Sequence, residues 1–324
     1  GSPKTAYVGG ALRARVSSQS WKRAMREMFG SKLDSSKMGK RTKSAVALIS
    51  NAIAEKRLDL AEEANNLAEK VLTATGVKVK ASDRAGADKG SAATEYLIFI
   101  ANREVEQLAD IAIAAFDEGK DPSKLKKEVA AVFHGKQAID IACFGRMLAD
   151  APDLNTDASA QVAHAFSIDQ ITPEYDYFTA VDDCASDDNA GAAMIDTVGF
   201  NSSTLYRYAT LNVDALRDQL QDADAMVEGV SAFVEAFVKS MPSGKQNTFA
   251  NHTLPEDIVI VLRDSQPISA ADAFENPIKR KDGISVSRQG IERLGDRLNE
   301  IRINYGEEPV KAWHVVSGGS VPSL

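Results

Sequence analysis

Residues 44 to 150 are written mainly in Ala, Leu, Glu and Lys at helical spacing, and strand-like segments lie on both sides of that block. A chain that starts and ends in strand-bearing sequence, with a long helical stretch between, folds as one α+β core interrupted by insertions. A short extended start leads to a helix from about residue 19, in which Trp21, Ala24, Met25 and Met28 follow the spacing of a buried face. Residues 30 to 43 turn polar and Gly/Ser/Lys-rich, the pattern of a mobile connection. Residues 44 to 74, 92 to 118 and 122 to 150 read as helical, with Pro122 at a helix start and an exposed loop after Gly76. From about residue 167, turn formers, aromatics and β-branched residues replace helical spacing, which predicts a long excursion shaped as a β-hairpin. Beyond it come a strand over 204–213, a helix over 214–240 stopping at a turn near Gly244, a buried strand over 256–264, a helix over 285–303 and a last strand over 311–317.

At 324 residues the chain is long enough for about two structural units. No apolar run approaches the roughly 18 to 20 residues of a membrane span, and the two cysteines, Cys143 and Cys184, are too few for a disulfide framework. A soluble protein of a reducing, cytoplasmic compartment is expected, with no membrane partner. Charge is informative once divided. The chain holds 38 Lys and Arg against 46 Asp and Glu, a net −8. Eleven of the cations but only two acids, Glu27 and Asp34, fall in residues 1 to 43, a local +9 that leaves −17 on the remainder. Such a split fits local capture of a polyanion better than diffuse adhesion.

Helical phases sharpen that expectation. At 100° per residue, Gln19, Lys22, Arg23 and Arg26 share one face of the first helix, and Trp21, Ala24, Met25 and Met28 take the opposite one. Ser17 or Ser18 stands where a cap belongs, and Arg13 and Arg15 alternate just ahead, pointing the same way if that segment is extended. The pattern describes a phosphate cradle; it also describes an ordinary amphipathic surface helix. A second group, "SGKQN" at 243–247, offers Lys245 and Gln246 on a glycine turn, suited to phosphate or ribose or to a plain polar turn. In the excursion, Tyr175, Tyr177 and Phe178 are available to stack on splayed bases or to form a small satellite core. Seven acids and no cation lie between residues 169 and 188, so that stretch is suited to the basic strip of another copy, as in a head-to-tail chain of subunits. His134, His164, His252 and His314 are scattered, and phosphate-loop, dinucleotide-binding and nucleophile-elbow motifs are absent. Asp182 and Asp183 could ligate magnesium, though adjacent acids in an acidic loop are usually only solvated. No enzyme activity, cofactor or metal is expected.

At these residues the chain resembles the repeated backbone subunit of the type I-E CRISPR Cascade complex, the Cas seven group of RNA-binding proteins. The resemblance is carried, in family order, by "GGALRARVSSQSWKRAMR" (9–26), "IDIACFGRM" (139–147), "AHAFSIDQI" (163–171), "DYFTAVDD" (176–183), "FNSSTLYRYATLN" (200–212), "PSGKQNTFA" (242–250) and "ADAFENP" (271–277). It implies an RRM-like, ferredoxin-like palm over 1–43 and 201–324, a helical finger over 44–166 and a long hairpin-like thumb over 167–200. It further implies copies that polymerise along a guide RNA, holding it for pairing with target DNA beside other Cascade subunits in antiviral defence. Residues matching the family's RNA-contacting motifs are Ser17, Gln19, Lys22, Arg23, Arg26, Lys245 and Gln246. Met147 matches a finger methionine at the RNA, and Tyr177, Phe178 and Thr179 match the base-displacing thumb segment. The family pattern also places a further strand and an Asn-Arg-Asp-Asp-type loop ahead of the segment that opens here at Gly1. It carries more cations where this chain has Ala11 and Leu12. Two other readings are an RNA-processing endoribonuclease of the same superfamily and a helical adaptor with a basic arm.

Overall fold

Helix-forming composition and hydrophobic spacing build most of the middle of the chain, as a computed structural model describing residues 2–81, 92–180 and 194–317 makes explicit. In chain order the elements are β1 (Thr5–Val8), β2 (Ala11–Val16), α1 (Ser18–Lys32), β3 (Gly39–Thr42), α2 (Ala45–Lys56), α3 (Ala64–Thr73), β4 (Val79–Ala81), β5 (Ala92–Thr94), β6 (Ile98–Ala101), α4 (Asn102–Asp117), α5 (Lys126–His134) and α6 (Ile139–Phe144). Then follow β7 (Ala160–Val162), β8 (Ala165–Ser167), β9 (Glu174–Ala180), β10 (Met194–Phe200), β11 (Leu205–Tyr206), β12 (Ala209–Leu211), α7 (Val213–Leu220), α8 (Ala223–Lys239), α9 (Gln246–Phe249), β13 (Asp257–Leu262), α10 (Val286–Tyr305) and β14 (Lys311–Val316). Helices alongside several small sheets make the fold α+β. Contacts gather the chain into two units, one of residues 1–23, 162–210 and 241–324, the other of 24–161 and 211–240.

The second unit is a helical body. Ala45, Val46, Ile49, Ala52 and Ile53 of α2, Leu67, Ala68, Val71 and Leu72 of α3, and Val105, Leu108, Ala109 and Ala112 of α4 all point into one core. Each large side chain so buried contributes about 1.5 to 3 kcal/mol, which outweighs the weak propensity differences along these helices. Residues 92–94 and 98–101 are strands rather than helix. Ile98, Phe99, Ile100 and Ala101 are all buried, and an apolar run covered on both faces makes as good a strand as a helix until β3 supplies its ladder. The stretch 30–43 likewise holds the end of α1, a 3-10 turn at Ser35–Lys37 and β3, in place of the expected mobile connection. The expected helix over 214–240 is two helices, because Gln221 takes a left-handed φ of 49° and Asp222 starts α8 by accepting the Ala225 N–H at 3.0 Å. Rings of Phe29, Phe144 and Phe233 pack in series at 5.8 and 6.4 Å, so residues from α1 and α8 belong with this body, which the sequence began at residue 44.

The first unit is built on a four-stranded antiparallel sheet ordered β1, β2, β8, β11, with Ile168, Phe274 and Ile278 at its core. β1 and β2 are joined by Gly9 and Gly10 at φ of 57° and 73°, the two positive angles a tight hairpin turn requires. The predicted hairpin excursion is present as β9 paired with β10. Among the described residues β13 pairs with β14 alone, and none of its residues is fully buried; the unbroken apolar run predicts a buried strand. Among the described residues no helix is long and apolar enough to cross a membrane.

Candidate nucleic-acid interface

The N-terminus of α1 is set by serine chemistry. Ser17 caps the helix, its Oγ accepting the Ser20 N–H at 3.3 Å and lying 2.9 Å from the Ser20 hydroxyl. The Ser18 N–H donates to His164 Nδ1 at 2.9 Å, which places the proton of the neutral ring on Nε2. Of the predicted apolar face, Trp21, Ala24 and Met25 are buried and Met28 is half-buried; Phe29, buried as well, was not among the expected residues. The Arg207 guanidinium lies 3.5 Å from the Trp21 ring centroid, and burial lowers its pKa to about 10. On the other side Gln19 and Arg23 are exposed and Lys22 is half-buried.

Two of the predicted phosphate ligands are held elsewhere. Arg13 is fully buried, donating to the carbonyls of Ser167 at 2.8 Å and of Phe274 and Glu275 at 3.0 Å each. Alternation placed Arg13 on the same side as Arg15 but carried no information about what covers that side. A guanidinium enclosed by carbonyls ties β2 to β8 and to the segment after Ala271, and it presents nothing to a phosphate. Arg15 remains half-buried, opposite Phe166 of β8. Arg26 pairs with the fully buried Asp140 at 3.2 Å and lies 4.3 Å from the Phe99 ring centroid. Asp140 also accepts the Gly39 N–H at 2.9 Å; burial pushes its carboxyl up, against the pull of Arg26. Arg26 is therefore an internal strut of the second unit, with only 19% of its side chain exposed.

The glycine turn of the first unit has an unexpected backbone. Lys245 sits in the left-handed region at φ 63°, where side chains are strained, and it leads into the short helix α9. Gln246 donates through Nε2 to the Pro242 carbonyl at 3.1 Å, which closes the turn. The Phe249 ring packs tilted against Phe200, centroids 5.7 Å apart, anchoring the turn to the root of the β9–β10 hairpin. Lys245→Gly is expected to raise stability by about 0.5 to 1 kcal/mol, since glycine tolerates that φ, while weakening anion binding. Thermal unfolding and RNA titration of the one variant check both signs, and a loss of stability would show the φ to be unstrained.

Along β9 the pleat separates what the sequence grouped together. Tyr175, Tyr177 and Thr179 fall on one face, opposite Gly199, Thr197 and Ile195 of β10, and Phe178 falls on the other, opposite Asp196. Tyr175 and Tyr177 are 71% and 63% exposed and Phe178 37%, so the hairpin displays aromatic rings on both faces. Asp182, Asp183 and Cys184 lie outside the described residues.

Met147, in the second unit, is 78% exposed. It follows Arg146, which is buried in an ion pair with Glu104 at 2.7 Å; burial pushes the Glu104 carboxyl up, opposed by that arginine. Among the described residues no group of three or more His, Cys, Asp or Glu is placed to hold a metal ion.

A family model for CT1975-like protein matches residues 1–322. The chain belongs to that family. Two solved chains resemble this family member along 99% of its length. One, of a "CRISPR RNA-guided surveillance complex, pre-nicking", is 31% identical with a TM-score of 0.84, the match covering 88% of that chain. The other, of a "CRISPR RNA-guided surveillance complex", is 26% identical with a TM-score of 0.73, the match covering 87% of that chain. No curated protein matches. The kinship with Cascade backbone subunits expected from the motifs holds for this CT1975-like chain.

Three features of this family member lie outside what its sequence predicts. His164 carries no signal beyond its place in "AHAFSIDQI". Exposed Lys279, Arg280 and Lys281 lead into a tight turn closed by the Lys281–Ile284 bridge, and no motif of the chain drew attention to them. The buried charges Glu104, Asp140 and Arg146 have partners far away in sequence, which no local pattern announces.

Proposed function

We propose that this chain is a non-catalytic, guide-RNA-binding backbone subunit, whose copies polymerise head-to-tail along the RNA in a cytoplasmic Cascade complex and hold it for pairing with target DNA. The observation that carries this reading is the 31% identity and TM-score of 0.84, over nearly the whole chain, to a chain of a CRISPR RNA-guided surveillance complex. In that reading the first unit supplies the RRM-like palm and the hairpin thumb, and the helical body supplies the finger. Gln19, Lys22, Arg23 and Lys245 contact phosphates; Arg15 and Gln246 lie alongside; Tyr177, Phe178 and Met147 meet bases. Ser17 caps α1, and Arg13 and Arg26 are internal struts.

Titration with fluorescent single-stranded RNA across a salt series tests the proposal. Affinity is expected to fall steeply, the log-log slope gaining about −0.7 for each phosphate neutralised. A flat salt response overturns RNA capture by the cations. The RNA is also expected to stay intact at saturating protein, with and without magnesium. Cleavage abolished by Asp34→Asn or Asp182→Asn would make the protein an endoribonuclease; Asp34 already accepts the Ser36 N–H at 2.8 Å as a turn cap.

A further inference from the structure

Across Gly145, Arg146, Met147 and Leu148 the side chains alternate between extremes. Arg146 and Leu148 are 3% exposed, and Met147 between them is 78% exposed. The Arg146 guanidinium meets both Glu104 carboxylate oxygens through Nη1, at 2.7 and 2.8 Å. Its Nη2 reaches the Phe133 carbonyl at 2.9 Å and Gln137 Oε1 at 3.2 Å, and the group lies 4.9 Å from the Phe133 ring centroid. The carboxylate also accepts the Ala101 N–H at the start of α4, at 2.8 Å. The backbone is clamped as well. Arg146 and Thr156 exchange N–H···O bonds of 2.9 Å each, and the Leu148 N–H donates to Asn155 Oδ1 at 2.7 Å. Gly145 stands at φ 77°, where a Cβ would lie 3.0 Å from the Thr156 carbonyl oxygen.

Desolvating two charges is costly, and a buried pair exchanged for apolar side chains of similar volume usually leaves stability unchanged or higher. Along α4, Glu104 neighbours Val105 and Leu108 of the apolar core, and leucine in its place would leave the buried Ala101 N–H without its acceptor, at the cost of one unpaired donor. The directional bonds of the pair gain something packing alone does not supply, a fixed path for the segment bearing Met147.

We propose that Arg146 and Glu104 are positioning residues for Met147, holding its exposed thioether at a set place to press against a nucleobase. The partner rests on the RNA-binding reading above; the positioning rests on the clamp. A soft thioether is suited to such a face, since sulfur contacts aromatic rings favourably and adapts to any base.

The test uses the full chain carrying Glu104→Leu with Arg146→Met, and separately Arg146→Lys, which keeps the charge and loses the fork. The double variant is expected to melt within a few degrees of the parent, while hydrogen exchange over 144–156 quickens about tenfold or more and exchange in α2 and α3 stays unchanged. RNA affinity should fall as it does in Met147→Ala, and adding Met147→Ala to the double variant should change nothing further. Unchanged exchange over 144–156 overturns the proposal. So does a collapse in melting temperature with exchange rising throughout the helical body, which marks a merely structural pair. If the double variant does not fold, Arg146→Lys decides by the same exchange measurement. Faster local exchange with RNA affinity untouched in both the double variant and Met147→Ala upholds the positioning and removes Met147 from the RNA contacts.

Discussion

Gly9→Ala is expected to lower the melting temperature by about 10 °C or more, or to leave the chain unfolded, while Gly10→Ala costs only a few degrees. The two glycines share the hairpin turn between β1 and β2, and both have positive φ. They differ in surroundings. A Cβ on Gly9 would lie 1.8 Å from the Glu275 carbonyl oxygen, whereas one on Gly10 would meet nothing within 4 Å. The obstacle at Gly9 is backbone, and that carbonyl is also pinned by Arg13 at 3.0 Å, so neither side can retreat without breaking a partly buried bond. At Gly10 only the left-handed conformation is penalised, by about 1 to 2 kcal/mol. Calorimetry of the two variants separates the effects, and equal melting temperatures would show that the close approach at Gly9 is absent.

Lys22→Ala with Arg23→Ala carries the second large effect. Both residues lie on the α1 face opposite the buried Trp21 and Met25, so truncation should leave folding nearly unchanged. If each cation makes one charge-assisted bond to phosphate, worth about 1.5 kcal/mol, the pair should weaken single-stranded RNA binding about a hundredfold at low salt. The salt slope should become shallower by about 1.4. Weaker binding with an unchanged slope would mean that the strip acts on RNA indirectly. Arg13→Met and Arg26→Met serve as contrasts: both act on stability first, because their guanidinium groups hold protein carbonyls and Asp140.

How much of this was legible depended on the range of the signal. The phases of α1 follow from spacing alone, and Trp21, Met25 and Arg23 fall where a period of 3.6 puts them. The hairpin was announced by its change of texture, though grouping Tyr177 with Phe178 overlooked the pleat that sends them to opposite faces. Residues 98–101 were misread because a fully apolar run is ambiguous until a neighbouring strand is known, and β3 lies more than fifty residues away. Arg26 and Asp140 stand 114 positions apart, and Lys245 has a backbone angle that its neighbours do not dictate. Charge counting found the cationic end; only burial separated the cations that hold the fold from those that face outward.

The Arg13 strut also orders events in time. Its carbonyl partners lie 154 and 261 positions further along the chain, so the bonds that finish the sheet close some of the longest loops in the protein. During synthesis at about 5 to 20 residues per second, Arg13 emerges roughly 13 to 50 s before Phe274. Until then the guanidinium that will be sealed inside is open to water and to any polyanion nearby, together with the rest of the cationic strip. The helices of the second unit, with mostly nearer partners, are favoured to condense in that interval, and the sheet that carries the start of α1 is sealed by Arg13 only once Phe274 has emerged.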